Sequence, residues 1–246
     1  MDPLLKLQTE ENLAKNTMYI AYASLIGSIN YCAISTWPDI LYVMNKCAQF
    51  TSNPNITHWE AAQRIVRYLL YTKDYGILYV SEGKGIEGYG HNLAGFTDSD
   101  YAGDINDRKS TTGWVFTFNG SPISWALKKQ KLVTRSSMEA EFVAGSMAWV
   151  EGIWLIRLGK GFQHEFTPIP LFTDNQSFIT FTKNNLNNSH TKHIDTHYHY
   201  TKDQIETGNI KLHYIPTLEN PADILTKPLS SRKHVQLLNS LGVKHV

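Results

Sequence analysis

The sequence predicts a mixed α/β domain preceded by a small helical unit. Three observations carry this: helix-like runs dominate residues 19–72, a glycine-rich stretch follows, and beyond it short apolar strands alternate with helices in the order βββ-α-β-α-α-β-α. We place the boundaries at 1–88 for the helical segment, 89–229 for the α/β domain and 230–246 for a helical tail.

The helical segment reads in three pieces. MYIAYASLIGSINYCAIS comes first, and PDILYVMNKCAQFTS then opens with Pro38, a residue suited to a first helical turn. In PNITHWEAAQRIVRYLLYT, Trp59, Ile65, Tyr68 and Leu69 recur at helical spacing while Glu60, Arg64 and Arg67 are left for water. YGILYV (75–80) alternates like a strand, and SEGKGIEGYGHN makes the connection.

In the second part LAGFTDSD is a strand ending in acids, and TTGWVFTFNG with SPISWAL is a hairpin turning at Asn119-Gly120, a pair that accepts positive φ. SSMEAEFVAGSMAWVEGIWLIRLG is a long helix capped by Ser136 or Ser137. IPLFTD is a strand, NQSFITFTKN a helix, and residues from about His193 to Thr207 an amphipathic, histidine-rich helix. The strand IKLHYIP and the helical stretches PADILTK and SRKHVQLLNSLG complete the chain.

Composition narrows the function. With 246 residues, 42% of them hydrophobic, and no run of eighteen apolar residues, neither a disordered tail nor a membrane span is expected. The formal charge of +1 makes any attraction to nucleic acid a matter of a local patch. Two cysteines, Cys32 and Cys47, cannot build a disulfide framework, and MDPLLKLQTEENLAKN lacks the layout of a secretory signal, so a cytoplasmic or nuclear protein is expected.

The acids suggest a site. Asp98 and Asp174 each end a predicted strand behind the same dipeptide, Phe96-Thr97 and Phe172-Thr173, and strand ends of this kind are where ligands meet such sheets. A single Asp there is usually a cap; the duplication favours a shared pocket. Of the helix acids, Glu139 and Glu141 cannot both point inward, being about 200° apart around the axis. Glu141 shares its face with Ala144, Gly145, Ala148 and Gly152, small residues that let a helix lie close on a sheet, so it is the inward candidate. Glu139 is left to solvent or to the helix start. Asp223 in Asn-Pro-Ala-Asp is a cap or a further ligand, and spacing leaves both open. Clustered carboxylates without Cys or His imply Mg²⁺ or Mn²⁺.

Asp98, Glu141, Asp174 and Asp223, in that order, resemble the Asp-Glu-Asp-Asp set of ribonucleases H. The blocks FTDSDYAGD, DRKSTTGWVF, ISWALKKQKLVTRSSMEAEF, FTDNQS, SHTKHIDTHYHYTKDQI and NPADILTKPL are similar to the C-terminal part of the Pol polyprotein of copia-type LTR retrotransposons. SLIGSINYCAISTWPDILYVMNKCAQF and HWEAAQRIVRYLLYTKDYGILY resemble the segment joining reverse transcriptase to RNase H there.

The resemblance implies an RNase H-like fold, a mixed five-stranded sheet flanked by helices behind a small connection subdomain. It implies hydrolysis of the RNA strand of an RNA–DNA hybrid with two Mg²⁺ (or Mn²⁺) ions, Asp98 bridging, Glu141 and Asp174 flanking and Asp223 outermost. It also implies the hybrid, and a reverse transcriptase chain, as partners. The chain has no Asp-Asp dipeptide, so it looks like a truncated fragment without the polymerase centre. The loop 215–220 lacks the histidine that many of these enzymes carry before the last Asp.

Ser99 or Asp100, with Asn175 and Gln176, are the candidates for reading 2′-hydroxyls, and Lys128, Lys129, Lys131 and Arg135 for phosphates. Trp125 reads either as a base platform or as core. The histidines of HTKHIDTHYH, with His193 and His197 four apart, suit a metal only weakly because spacing fixes no third ligand. Two other readings stand beside the nuclease. A non-catalytic tether needs no cluster of mutually repelling acids, and a DDE-type integrase takes its last acid as Glu rather than Asp.

Overall fold

The computed structural model describes residues 16–80, 92–183 and 195–246. Helices α1 (Asn16–Ser35), α2 (Leu41–Ala48) and α3 (Ile56–Tyr71) fill the first segment, with a 3₁₀ turn at Pro38–Ile40 leading into α2. Asn55 caps α3 by accepting from the His58 backbone N–H while the His58 ring accepts from Asn55 N–H. The exposed side carries Glu60, Arg64 and Arg67, as the spacing predicts. Strand β1 is shorter than expected, Tyr75–Ile77.

Strands β2 (Leu93–Asp100), β3 (Thr111–Phe118), β4 (Ser121–Lys129), β5 (Ile169–Thr173) and β6 (Ile210–Tyr214) form one sheet in the order β4-β3-β2-β5-β6. The β3–β4 turn sits at Asn119 and Gly120, with φ of 52° and 82°, the left-handed pair this tight hairpin needs. The antiparallel half, β2 to β4, meets a parallel half in which β2, β5 and β6 run together. Helix α4 (Ser137–Gly161) links the hairpin to β5, and α5 (Gln176–Lys183) and α6 (Asp195–Glu206) link β5 to β6. Then come α7 (Asp223–Thr226), α8 (Ser231–Ser240) and β7 (Val243–His245).

Both faces of the sheet are covered. On one, Trp114, Phe116, Leu93 and Leu171 pack with Phe142, Trp149 and Phe178 of α4 and α5. The stripe of small residues explains the closeness: a Cβ on Gly145 would lie 2.5 Å from Phe178 Cζ, and one on Gly152 would lie 3.3 Å from Ile210 Cδ1. On the other face Val115, Phe96 and Trp125 share a core with Tyr22, Ile29 and Ile65 of the first helices and with Leu225, Leu237 and Leu238 near the C-terminus. Strand β3, buried almost throughout, is therefore apolar on both sides.

Two tertiary ties fall outside what spacing predicts. The tail is not helical to its end, because β7 pairs antiparallel with β1, Tyr75 opposite His245. Trp125 of β4 donates from Nε1 to the Ala33 carbonyl of α1 at 2.9 Å; it is a clasp within the fold rather than an open platform. Trp125→Phe keeps an aromatic ring but removes this bond and part of the indole's packing, so the urea midpoint should fall by the equivalent of about 1–3 kcal/mol. No described helix is long and apolar enough to cross a membrane.

Candidate metal centre

The duplicated tripeptide is brought into register by parallel pairing. Gly95 lies opposite Leu171 and Phe96 opposite Phe172, whose rings stack 5.2 Å apart. Two residues further along, the same register brings Asp98 level with Asp174. Asp223 reaches the pair from the first residue of α7. Asp98, Asp174 and Asp223 each present a carboxylate oxygen within 4.8 Å of the others.

Glu141 comes from the second turn of α4. Its Oε1 accepts from the Ser99 backbone N–H at 3.0 Å and from Ser99 Oγ–H at 2.8 Å. Its Oε2 is buried and has no hydrogen-bond partner among the described residues. Glu139, two residues earlier, holds the helix start instead: Ser136 caps the helix, accepting from Glu139 N–H, and Glu139 Oε2 accepts from Arg135 N–H at 2.7 Å.

Other residues, which carry no signal as separate motifs, fix the fourth acid. Asn220 donates to the Thr97 carbonyl at 3.0 Å and accepts from Ala222 N–H at 3.1 Å, pinning the entry of α7 to β2. Gly113, opposite Asp98 on β3, leaves room for α7, since a Cβ there would stand 2.5 Å from Thr226 Cγ2. Thr226 Oγ–H donates to Asp98 Oδ2. Lys227 Nζ lies 2.9 Å from Asp98 Oδ1 and 3.0 Å from Asp223 Oδ1, and Lys233 Nζ pairs with Asp223 Oδ2. These lysines are legible only afterwards, as the i+4 and i+10 neighbours of Asp223.

The electrostatics follow from burial. Asp98 is 1% exposed, and burial pushes its carboxyl up to about 6, with Lys227 opposing and Asp223 reinforcing the rise. Glu141 is raised well above the ordinary glutamate range by burial and by Asp98, with Asp174 adding and the Ser99 bonds opposing. Burial alone would depress the Lys227 ammonium, but Asp98 and Asp223 hold it above the usual lysine value. An all-carboxylate donor set, one buried oxygen without a partner and two acids held against their own charge fit a hard divalent cation.

The remaining candidates are distributed as follows. Ser99 is buried and committed to Glu141. Asn175 accepts on Oδ1 from Phe178 N–H at 2.9 Å, capping the start of α5, while Gln176 is exposed beside it. The registers Asp100–Thr111 and Thr111–Lys129 put the lysine-bearing end of β4 at the same end of the sheet as the acids. The lysines do not form one free patch. Lys129 pairs with Asp104 at 2.7 Å and Asp107 at 2.9 Å, and Lys128 Nζ sits 5.0 Å from the centre of the Trp114 ring. Lys131 and Arg135 are exposed. His197 Nδ1 bonds Ser146 of α4 at 2.9 Å, whereas His190 and His193 lie outside the described residues.

No protein-family model matches the chain. It is 37% identical over 227 residues to the retrovirus-related Pol polyprotein from transposon TNT 1-94 of Nicotiana tabacum, covering 92% of this chain and 16% of that relative. The chain thus spans about one-sixth of that relative's length. Among solved structures, the foamy viral protease–reverse transcriptase in complex with dsDNA matches at 15% identity and TM-score 0.50, over 80% of this chain and 38% of that one. An RNase H1, LC11-RNase H1 in complex with RNA/DNA hybrid, matches at 16% identity and TM-score 0.42, over 55% of this chain and 93% of that one. The chain has an RNase H-like α/β fold and belongs to the copia-type retrotransposon Pol polyprotein family.

Proposed function

We propose that the protein is a ribonuclease H that hydrolyses the RNA strand of RNA–DNA hybrids, with residues 1–88 as connection segment, 89–229 as nuclease domain and 230–246 as its tail. The observation that supports this most is the convergence of Asp98, Asp174 and Asp223, distant in the chain, to within 4.8 Å of one another, with Glu141 beside them and repelled by Asp98 and Asp174. The four acids would hold two Mg²⁺ or Mn²⁺ ions. When bound in such a site, paired divalent ions supply an activated water and charge stabilisation for the leaving 3′ oxygen.

The chain's own residues do the rest. Asp98 is held on both carboxylate oxygens, by Thr226 and Lys227, so its direction is fixed. Ser99 orients Glu141 so that Oε2 stays unengaged, and Asn220 sets the distance between Asp223 and β2. With Oδ1 of Asn175 engaged by α5, its amide N–H₂ and the exposed Gln176 are the groups for the minor-groove face, where 2′-hydroxyls distinguish RNA. Lys131 and Arg135 would serve the phosphates. In the whole Pol polyprotein a reverse transcriptase segment would deliver the hybrid.

A second reading, a tether that binds hybrid without cutting it, is favoured by one observation: Lys227 and Lys233 already neutralise part of the acid cluster. One experiment separates the two. Purified protein with Mg²⁺ should cleave a labelled RNA–DNA hybrid, and Asp98→Asn should lose at least about a hundredfold in rate while remaining folded. Cleavage lost in neither protein points to another site. Cleavage absent from both, with hybrid still bound, selects the tether.

A further inference from the structure

The acid cluster contains a cation of its own. Lys227 lies one helical turn beyond Asp223, and its Nζ stands between Asp98 Oδ1 and Asp223 Oδ1 at 2.9 and 3.0 Å. Both aspartates have side chains only 1% exposed, so the ammonium is their main source of compensation on this side. Lys233 takes the other oxygen of Asp223. Asp223 therefore has both oxygens occupied by ammonium groups, whereas Glu141 Oε2 has no hydrogen-bond partner among the described residues.

A divalent ion held by Asp98 and Asp223 would compete with Lys227 for their carboxylate oxygens, since two cations repel strongly at such short range. Lys227 has somewhere to go. Its side chain, one-third exposed, also lines a cavity of about 320 Å³ between the first helices and the 102–108 loop, so the ammonium can leave the acids without being buried unpaired.

We infer that Lys227 is a resident counter-cation of the metal centre, which holds Asp98 and Asp223 together until a divalent ion displaces it toward that cavity. This rests on the metal reading of the site. Lys227 is a positioning residue in this role: it pre-assembles the acids and weakens metal binding at Asp223, where an ordinary structural salt bridge would only stabilise the fold.

Mn²⁺ binding, followed by electron paramagnetic resonance of the free ion, tests this in the full chain without any turnover. Lys227→Met should bind Mn²⁺ tighter on the order of tenfold, the factor that about 1.4 kcal/mol represents. Its melting temperature should fall in chelator and recover in saturating Mn²⁺, while Lys227→Arg, which keeps the charge, should bind as the parent does. Equal affinity of the parent and Lys227→Met, or an equal loss of melting temperature with and without Mn²⁺, overturns the role of Lys227 and leaves the metal centre standing. Absence of Mn²⁺ binding in every protein overturns the metal centre itself. If Lys227→Met fails to fold, the parent protein decides: the ¹⁵N resonance of the Lys227 ammonium should move on Mg²⁺ saturation, and an unmoved resonance overturns the inference.

Discussion

Glu141→Gln should lower hybrid cleavage by about 10³-fold, equivalent to about 4 kcal/mol, while raising the stability of the metal-free protein. The two effects have one cause. Glutamine keeps an oxygen where Oε1 accepts from Ser99 N–H and Oγ–H, so the local bonds survive. It removes a buried negative charge that faces Asp98 and Asp174. In chelator at pH 7.5 a gain of about 1 kcal/mol would appear as a rise of about 2–4 °C in melting temperature for a chain of this size.

The pH dependence has a definite sign. The Asp98 and Glu141 carboxyls are raised in the folded protein, so each contributes stability that is fully present below the ordinary carboxylate range and is lost as pH rises. For Asp98 the loss falls between its ordinary value of 3.8 and about 6. The metal-free parent should therefore show a decline in this contribution across that window, and Glu141→Gln a shallower one. Mg²⁺ should remove the difference by favouring the ionised acids. A decline of equal depth in the two proteins, followed by urea midpoints in chelator, would refute the mutual repulsion of the acids.

Gly145→Val should cost about 3 kcal/mol, a fall of about 6–12 °C in melting temperature. Gly145 lies on the face of α4 that rests on α5. Even a bare Cβ there would approach Phe178 Cζ to 2.5 Å and Cε1 to 2.8 Å. Phe178 cannot retreat, being fully buried and edge-on to Phe142, with Trp149 tilted against it. Pairing the substitution with Phe178→Leu should recover part of the loss, measured as non-additivity in a double-mutant cycle. Full additivity would mean that the strain is taken elsewhere.

Much of the geometry of the candidate site was legible in the sequence because two of its devices are periodic. The repeated Phe-Thr-Asp puts Asp98 and Asp174 at equivalent points of two strands, and a parallel ladder converts equivalence in sequence into nearness in space. The small residues following Glu141 mark the face of α4 that must lie against its neighbours, which selects Glu141 over Glu139. The capping serine and the Asn119-Gly120 turn are local conformational preferences, and they too are decided within a few residues.

What lay beyond reach depends on contacts between distant segments. No spacing rule brings Lys227 and Thr226 to Asp98, links Asn220 to Thr97, or turns Lys129 away from a phosphate patch toward Asp104 and Asp107. The same holds for the second face of the sheet, covered by helices from the start of the chain and by residues near its end, and for the short pairing of β1 with β7. Side-chain periodicity and backbone preference act over a turn or a strand, so the sequence by itself determined the elements and the acids they carry. Which charges those acids meet is a property of the packed chain, because Coulomb forces and desolvation depend on distance through space rather than along the sequence.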